Sequence, residues 1–239
     1  MRRLVLALDA VCVLRDLAGR GAPDLAAAAT LASVAGADAV QLGATEEARP
    51  VSEADLRDAD RAAEALELRI APTLSLAKVA LEVRPVRVVL AAEGRAGGSA
   101  GPLDLRGAGP GLAATVRTLR DAGLRVGALV APDLDAVKAA HAAGAEAADL
   151  WTATAVDLPE PARRGALERL GDAARLAAKL RLEVGLAGGL GLRDLAPLLA
   201  AAPVAERVVV GRAFVGRALL VGVERAVRDL REAVQLSRT

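Results

Sequence analysis

The stretch DAVQLGATEEARPVSEADLRDADRAAEALELRIAPT (residues 38–73) decides the expected fold of this chain. It opens with a short apolar run at 38–43 and closes with another at 68–73, each with the length and composition of a buried strand. The residues between them carry apolar side chains at the spacing of a helix that buries one face. A strand, a helix and a second strand in succession form the repeating unit of a parallel sheet.

The helix of this unit is predicted from Ser52 to Leu66. Ser52 and Asp55, three residues apart, form a capping box, which marks the first turn of a helix. One apolar stripe then follows the helix through Leu56, Ala59, Ala63 and Leu66.

The same alternation repeats along the whole chain, with eight apolar runs about 30 residues apart and no shift in composition. The predicted strands are 3–9, 38–43, 68–73, 87–92, 125–131, 146–152, 182–187 and 206–211. This pattern predicts an α/β fold, a (β/α)8 TIM barrel of eight parallel strands that forms a single domain over residues 1–239. A flavodoxin-like open sheet is the alternative.

The composition argues against several classes of partner. The 239 residues hold 31 Lys and Arg against 30 Asp and Glu, so no broad basic surface for nucleic acid or anionic membrane is expected. Trp151 and Phe214 are the only aromatic residues, too few for base stacking. No uncharged apolar stretch reaches the length of about 18 residues that a membrane span needs. The lone Cys12 and an N-terminus without a signal-peptide pattern predict a cytoplasmic protein with small-molecule or protein partners.

In a TIM barrel, ligands bind at the carboxyl ends of the strands. Two glycine turns follow strands 7 and 8, where barrels commonly bind phosphate: Gly188-Gly189 and Gly211-Arg212. Glycine lets backbone N–H groups approach an anion, the next helix adds its dipole, and an arginine adds a fork of donors. The alternative is that both are tight strand-to-helix turns. The glycine-rich segment 94–111 is expected on the same face, as a mobile or tightly turning loop.

Few residues near the strand ends can exchange protons. The single histidine, His141, falls well inside the helix after strand 5, on the stripe of Leu134 and Val137, and is expected to be structural. Asp9 is the strongest candidate because it ends strand 1, although it could instead hold backbone amides or an arginine such as Arg15. The other carboxylates are Glu46, Glu47 and Glu93. Without a His or Cys cluster, no metal or other cofactor is expected, and Cys12 lacks a base that would activate it.

At these positions the chain resembles the pyridoxine 5′-phosphate synthase family, barrel enzymes that close the pyridine ring of vitamin B6. The similarity runs from end to end. The matching segments are LVLALDAVCVLRDLAG (4–19), AGADAVQLGATEEAR (35–49), ALEVRP (80–85), DAGLRV (121–126), DLWTA (149–153), EVGLAGGLGL (183–192) and VVVGRAFVGRALLVGVERAV (208–227).

The resemblance implies that the family's catalytic groups are replaced here. Its general-base histidine corresponds to Gly43, its catalytic glutamate to Arg69 or Ile70, and its general-acid histidine to Gly188. The other replacements are Ala7, Ala10, Ala18, Thr45, Pro50, Ser99, Trp151 and Arg212, the last at the histidine of the family's phosphate site. The positions that remain for ligand binding are Asp9, Glu46, Arg49, Thr152, Gly189 and Gly211.

Losing one acid or base costs a factor of about 10² to 10⁴ in rate, and all three are replaced. The leading hypothesis is therefore a diverged, catalytically silent homologue that binds a phosphorylated small molecule, or that acts through assembly as a homo-oligomer. Three alternatives stay open. One is an enzyme of altered chemistry that uses Asp9 or Glu93 with Arg212 and Arg49. Another is a structural subunit that assembles with an active relative. The last is an active synthase that joins 1-deoxy-D-xylulose 5-phosphate to 3-amino-2-oxopropyl phosphate.

Overall fold

The computed structural model describes residues 1–19, 22–93, 100–105 and 110–236. Eight strands form one closed barrel, and each pairs in parallel with the next in the chain. The strands are β1 (Arg3–Ala7), β2 (Ala39–Gly43), β3 (Leu66–Ile70), β4 (Arg87–Leu90), β5 (Val126–Val130), β6 (Ala147–Trp151), β7 (Glu183–Ala187) and β8 (Arg207–Val210). Pairing of β1 with β8 closes the ring, so the predicted (β/α)8 barrel is confirmed and the open sheet is excluded.

Helices in the described residues follow the strands and surround the barrel. They are α1 (Asp9–Ala18), α2 (Leu25–Val34), α3 (Glu53–Ala62), α4 (Leu74–Val83), α5 (Pro110–Asp121), α6 (Leu134–Ala142), α7 (Ala153–Val156), α8 (Ala162–Lys179), α9 (Leu192–Ala201), α10 (Arg212–Val221) and α11 (Val223–Leu236). None of these helices is long and apolar enough to cross a membrane.

Alternation along the strands separates two apolar layers, because successive side chains point to opposite faces of a sheet. On β1, Leu4 and Leu6 belong to the large layer between the sheet and the helices. Val5 and Ala7 belong to the smaller cluster inside the barrel. Small inner side chains leave space inside the barrel for charged residues and for a cavity at the carboxyl ends of the strands, which we call the mouth.

Every predicted strand overlaps an observed one, but two boundaries were wrong in a way that matters. The capping box of Ser52 and Asp55 is present, yet α3 ends at Ala62 because Ala63 is extended. Leu66 is the first residue of β3 and is buried there. Its apolar side chain matched the helical spacing by coincidence, which made the predicted helix too long. Asp9 is the first residue of α1 rather than the last of β1, which still places it at the mouth.

Candidate functional site

The mouth contains a cavity of about 300 Å³. Of the predicted binding and catalytic residues, the structure brings six to its wall: Asp9, Glu93, Gly188, Gly189, Gly211 and Arg212. Ala7, Gly43, Arg69, Asp149 and Trp151 also line it. Glu46, Arg49 and Thr152 do not.

Asp9 is held by two partners on the β1–β3 side of the mouth. Its Oδ1 accepts a hydrogen bond from the backbone N–H of Gly43 at 2.8 Å and lies 3.2 Å from Nη2 of Arg69. This is the amide-and-arginine arrangement that the sequence offered as the alternative to catalysis. The arginine is Arg69, because Arg15 pairs with Asp55.

Gly43 and Arg69 fit together sterically. A Cβ at Gly43 would lie 2.5 Å from Nη2 of Arg69 and 2.8 Å from Oδ1 of Asp9. Of the two residues that could correspond to the family's glutamate, Arg69 contacts Asp9 in the mouth, whereas the Ile70 side chain is 2% exposed and packs in the apolar layer between the sheet and the helices. The guanidinium therefore occupies the space that a side chain at position 43 would need.

Backbone forms the opposite side of the mouth, after β7 and β8. Gly188 and Gly189 have φ angles of +102° and +73°, the left-handed region that favours glycine. A Cβ at Gly188 would overlap the ring of Trp151. The Thr152 hydroxyl is buried and donates to the carbonyls of Ala187 and Gly188. Thr152 therefore fixes this turn from behind and does not reach the cavity.

Arg212 begins α10 directly after Gly211. Its side chain is exposed, lines the cavity and makes no hydrogen bond or ion pair with any residue in the described ranges. A free guanidinium beside the first N–H groups of a helix is favourable for an anion.

Glu46 and Arg49 lie outside the cavity. The Glu46 carboxylate accepts hydrogen bonds from the hydroxyls of Ser75 and Thr73, each at 2.6 Å, and these lower its pKa. Arg49 is exposed on the turn that its backbone closes with Thr45. Glu93 lies on the rim, where one carboxylate oxygen is 3.4 Å from the Glu46 backbone nitrogen.

Below the cavity, charged side chains fill the inside of the barrel. Arg207 pairs with Glu67 and lies 3.3 Å from Oδ2 of Asp149. Gln41 links this group upward, since it donates to Glu67 at 3.1 Å and accepts from Arg69 at 3.3 Å. Sequence reasoning missed these residues, although charges at every second position of a strand, as in LELRI, were a visible signal.

Glu183 lies at the opposite end of this interior from the mouth. It contacts Arg87 at 2.6 Å, Arg125 at 3.0 Å and Arg3. Burial alone would raise its pKa, but the hydrogen bond from Arg87 and the nearby arginine charges lower the pKa of Glu183 to about 2. The charge of Glu183 at the lower end of the interior is therefore balanced by arginines, although Nη1 of Arg87 has no hydrogen-bond partner among the described residues.

The two remaining candidates, His141 and Cys12, do not line the cavity. His141 lies in the last turn of α6, whose first turn faces the mouth, and it is exposed rather than on the buried stripe. Burial, followed by the charge of Asp55, raises the pKa of Cys12 to about 12, so the thiol stays protonated.

No group of three or more His, Cys, Asp or Glu side chains that could hold a metal ion occurs in the described residues. Ser99 and most of the segment 94–111 lie outside those residues, but Ala100 reaches the cavity wall.

Comparison with known proteins gives consistent matches. The family model described as pyridoxal phosphate biosynthesis protein PdxJ matches residues 4–236. Pyridoxine 5′-phosphate synthase of Geobacter metallireducens is 33% identical over 238 residues, covering 98% of this chain and 99% of that protein. The synthase of Pelobacter propionicus is 32% identical over 242 residues, with 98% and 99% covered.

Solved structures share the fold at low identity. A KGPDC structure from Streptococcus mutans has a TM-score of 0.69 at 12% identity, covering 100% of this chain and 99% of that one. Thiamine phosphate pyrophosphorylase from Pyrococcus furiosus has a TM-score of 0.62 at 19% identity, with 99% and 97% covered.

Proposed function

Because this chain belongs to the pyridoxal phosphate biosynthesis protein PdxJ family, we propose that it has kept the family's barrel as a binding site for a phosphorylated small molecule and has lost the ring-closing reaction. The proposal rests on which charged side chains at the mouth are paired with one another and which are not. Arg69 neutralises Asp9 on one side, while Arg212 lies unpaired among the described residues beside two glycine turns on the other.

The loss of reaction follows from what replaces the family's acids and bases. By the resemblance, the two key histidine positions carry Gly43 and Gly188, and the glutamate position carries Arg69, a cation that stays protonated, or Ile70, which has no ionisable group. Proton transfer needs a group of suitable pKa within reach of the reacting atom. Residual ring closure on the family substrates is therefore expected to be negligible.

The phosphate site rests on the β7–β8 side. Gly188, Gly189 and Gly211 keep side chains away from the backbone there, and the N-terminus of α10 adds a partial positive charge. Arg212 replaces a histidine of the family and supplies a permanent charge with up to two parallel hydrogen bonds.

Thermal unfolding with and without phosphate compounds tests the site. The panel is inorganic phosphate, ribose 5-phosphate and pyridoxine 5′-phosphate. A ligand at about 100 times its dissociation constant stabilises the folded state by about 2.7 kcal/mol. Arg212→Ala should abolish the shift. Arg193→Ala, an exposed arginine in the first turn of α9 that does not line the cavity, should keep it. An unchanged unfolding temperature across the panel would refute the phosphate site.

A second candidate is an enzyme of altered chemistry. Glu93 favours it, because this carboxylate lies on the cavity wall without an ion pair in the described residues. Turnover of any phosphorylated compound that Glu93→Gln removes would support this candidate. Formation of pyridoxine 5′-phosphate from the two family substrates by the pure protein would instead overturn the proposed loss of reaction.

Assembly is the remaining part of the proposal. Leu17 of α1 and Leu219 and Leu220 of α10 are 79%, 71% and 85% exposed, and the two helices pack side by side. Covering these side chains with a second copy would bury apolar area. Sedimentation velocity should show an oligomer that Leu220→Glu dissociates and that Leu74→Glu, an exposed leucine on α4, leaves intact. A monomeric parent protein would refute self-assembly, and co-purification with an active synthase would favour mixed assembly. A cytoplasmic location and a single domain stay predictions.

A further inference from the structure

The cavity at the mouth continues into an apolar groove between α1 and α10, two helices that pack against each other. The groove is lined by Ala10, Val13 and Leu14 of α1 and by Val215 and Leu219 of α10. The three residues of α1 lie three and four positions apart, so they share one face of their helix. The two residues of α10 lie four positions apart and do the same. We call this surface the α1–α10 groove.

The arginines in the middle of the two helices are paired outside the groove. Arg15 of α1 pairs with Asp55 of α3, and Arg217 of α10 pairs with Asp229 of α11. Neither arginine lines the cavity. Past their first residues, the two helices therefore present an apolar surface to the cavity.

The groove has the anion site of the proposed function at its inner end. Arg212 is the first residue of α10, and Val215 and Leu219 follow it at i+3 and i+7, on the same helix face. All three residues line the same cavity. At a rise of about 1.5 Å per residue, Arg212 and Leu219 are about 10 Å apart along the helix. This order fits an anionic group at the start of the helix and an apolar chain of several carbons along it.

We propose that the mouth binds phosphate monoesters that carry a flexible apolar tail. The phosphate lies at Arg212 and the glycine turns, and the tail lies in the α1–α10 groove. The tail removes apolar side chains from water, which a sugar phosphate of the same size would leave hydrated. This inference rests on the proposed function, since it assigns a ligand class to the same site.

The outer end of the groove meets the proposed assembly face. Leu219 lines the groove and is 71% exposed, whereas Leu17 and Leu220 do not line it. The tail and a second copy of the chain therefore use neighbouring parts of the two helices. The ligand is a single dissolved molecule, because its phosphate lies inside the mouth, whereas the phosphate of a bilayer lipid lies at the membrane surface.

Calorimetric titration with methyl, butyl and hexyl phosphate tests the tail. The three esters have the same charged group and differ only in apolar length. Affinity should rise about twofold for each methylene in this half-open groove, so hexyl phosphate should bind at least about tenfold more tightly than methyl phosphate. Ribose 5-phosphate, which has a polar chain, should bind no more tightly than methyl phosphate.

Variants of the groove assign the effect to α1. Leu14→Asn replaces an apolar side chain by a polar one of similar size, and it should lower the affinity for hexyl phosphate about tenfold and leave that for methyl phosphate unchanged. Leu134→Asn is the matched control, because Leu134 is an exposed residue in the first turn of α6 that does not line the cavity. Should Leu14→Asn fail to fold, Val13→Thr tests the same wall, because it keeps the shape of the half-buried side chain and adds a hydroxyl.

The outcomes distinguish this inference from the proposed function. If the three esters bind equally and Arg212→Ala weakens all of them, the phosphate site stands and the apolar tail is refuted. If no ester binds, both are refuted. If the longer esters bind more tightly but Leu14→Asn and Val13→Thr keep the full gain, the assigned groove is wrong.

A vesicle arm tests the source of the phosphate. The protein should stay in the supernatant when vesicles of phosphatidylcholine and phosphatidic acid are sedimented. Sedimentation of the protein with these vesicles, and not with vesicles of phosphatidylcholine alone, would overturn the assignment to a dissolved molecule.

Discussion

On the side of the mouth formed by β1 to β3, Asp9 and Arg69 contact each other. On the side formed by β6 to β8, two glycine turns, the ring of Trp151 and the side chain of Arg212 face the cavity. Asp9 is occupied by Gly43 and Arg69. Arg212 is unoccupied by the described residues, and Gly188 and Gly189 expose their backbone. The same ring of strand ends thus contains one half that is closed by its own ion pair and one half that is open to a ligand.

Under the proposed function, the closed half has lost the reaction and the open half has kept the binding site. On the closed half, Gly43 and Arg69 share one space, because a Cβ at Gly43 would lie 2.5 Å from Nη2 of Arg69. On the open half, the proposed anion site uses backbone and helix geometry, which side-chain replacement changes little. Substitutions that add a side chain at a glycine of each half are therefore the sharpest tests of this difference.

The largest effect is expected for Gly188→Ala, on the open half. The φ of +102° is unfavourable for alanine, and the new Cβ would overlap Trp151. We expect a loss of about 3 kcal/mol in the free energy of unfolding, measured by urea denaturation. In a Trp151→Ala background the overlap is absent but the backbone strain remains. Gly188→Ala should therefore cost less there than in the parent protein, but more than nothing.

Gly216→Ala is the matched control for this change. Gly216 lies inside α10, and a Cβ there would meet nothing within 4 Å. Alanine in a helix should stabilise the protein by about 0.5–1 kcal/mol. Equal denaturation midpoints for Gly188→Ala and the parent protein would contradict the described turn.

On the closed half, Gly43→Ala should cost less, about 1 kcal/mol. The backbone of Gly43 does not need glycine, and the new Cβ would meet only the tips of the Arg69 and Asp9 side chains. A double-mutant cycle with Arg69→Ala measures the coupling. The cost of Gly43→Ala should nearly vanish when Arg69 is already alanine, whereas additive losses would show that the two residues do not share the space.

Much of this arrangement could be predicted from the sequence, because the spacing of the apolar residues and the place of each residue after a strand determine it. The barrel follows from the eight apolar runs, and Gly188, Gly189, Gly211 and Arg212 come to the mouth because they follow strands 7 and 8. The capping box of Ser52 and Asp55 could also be predicted, because both residues belong to the same helical turn.

Pairings between distant strands were not accessible. Arg69 and Asp9 are 60 residues apart and Arg207 and Glu67 are 140 apart, and only the closed register brings them together. Thr152 was expected at the ligand, but its hydroxyl points to the β7 carbonyls, a direction that residue type does not specify. Asp149 was passed over because a carboxylate inside a strand run looks like a surface position until the strand is buried on both faces.

The smallest expected effect is the pH response of Glu46, at the outer edge of the closed half. Hydrogen bonds from Ser75 and Thr73 hold the folded-state pKa below the usual value of 4.5. A lowered pKa adds stability that is fully present above about pH 4.5 and is lost as the pH falls through the folded-state value. Glu46→Gln keeps an acceptor for both hydroxyls but removes the charge. The difference in unfolding midpoint between the parent protein and Glu46→Gln should therefore be small at pH 7 and should shrink further below pH 4.5. Glu47→Gln, at an exposed neighbour without a hydrogen bond or ion pair in the described residues, is the matched control for removing a charge from this turn. A difference that does not change with pH would mean that the hydroxyls of Ser75 and Thr73 do not stabilise the Glu46 carboxylate, and the closed half would then end at the pair of Asp9 and Arg69.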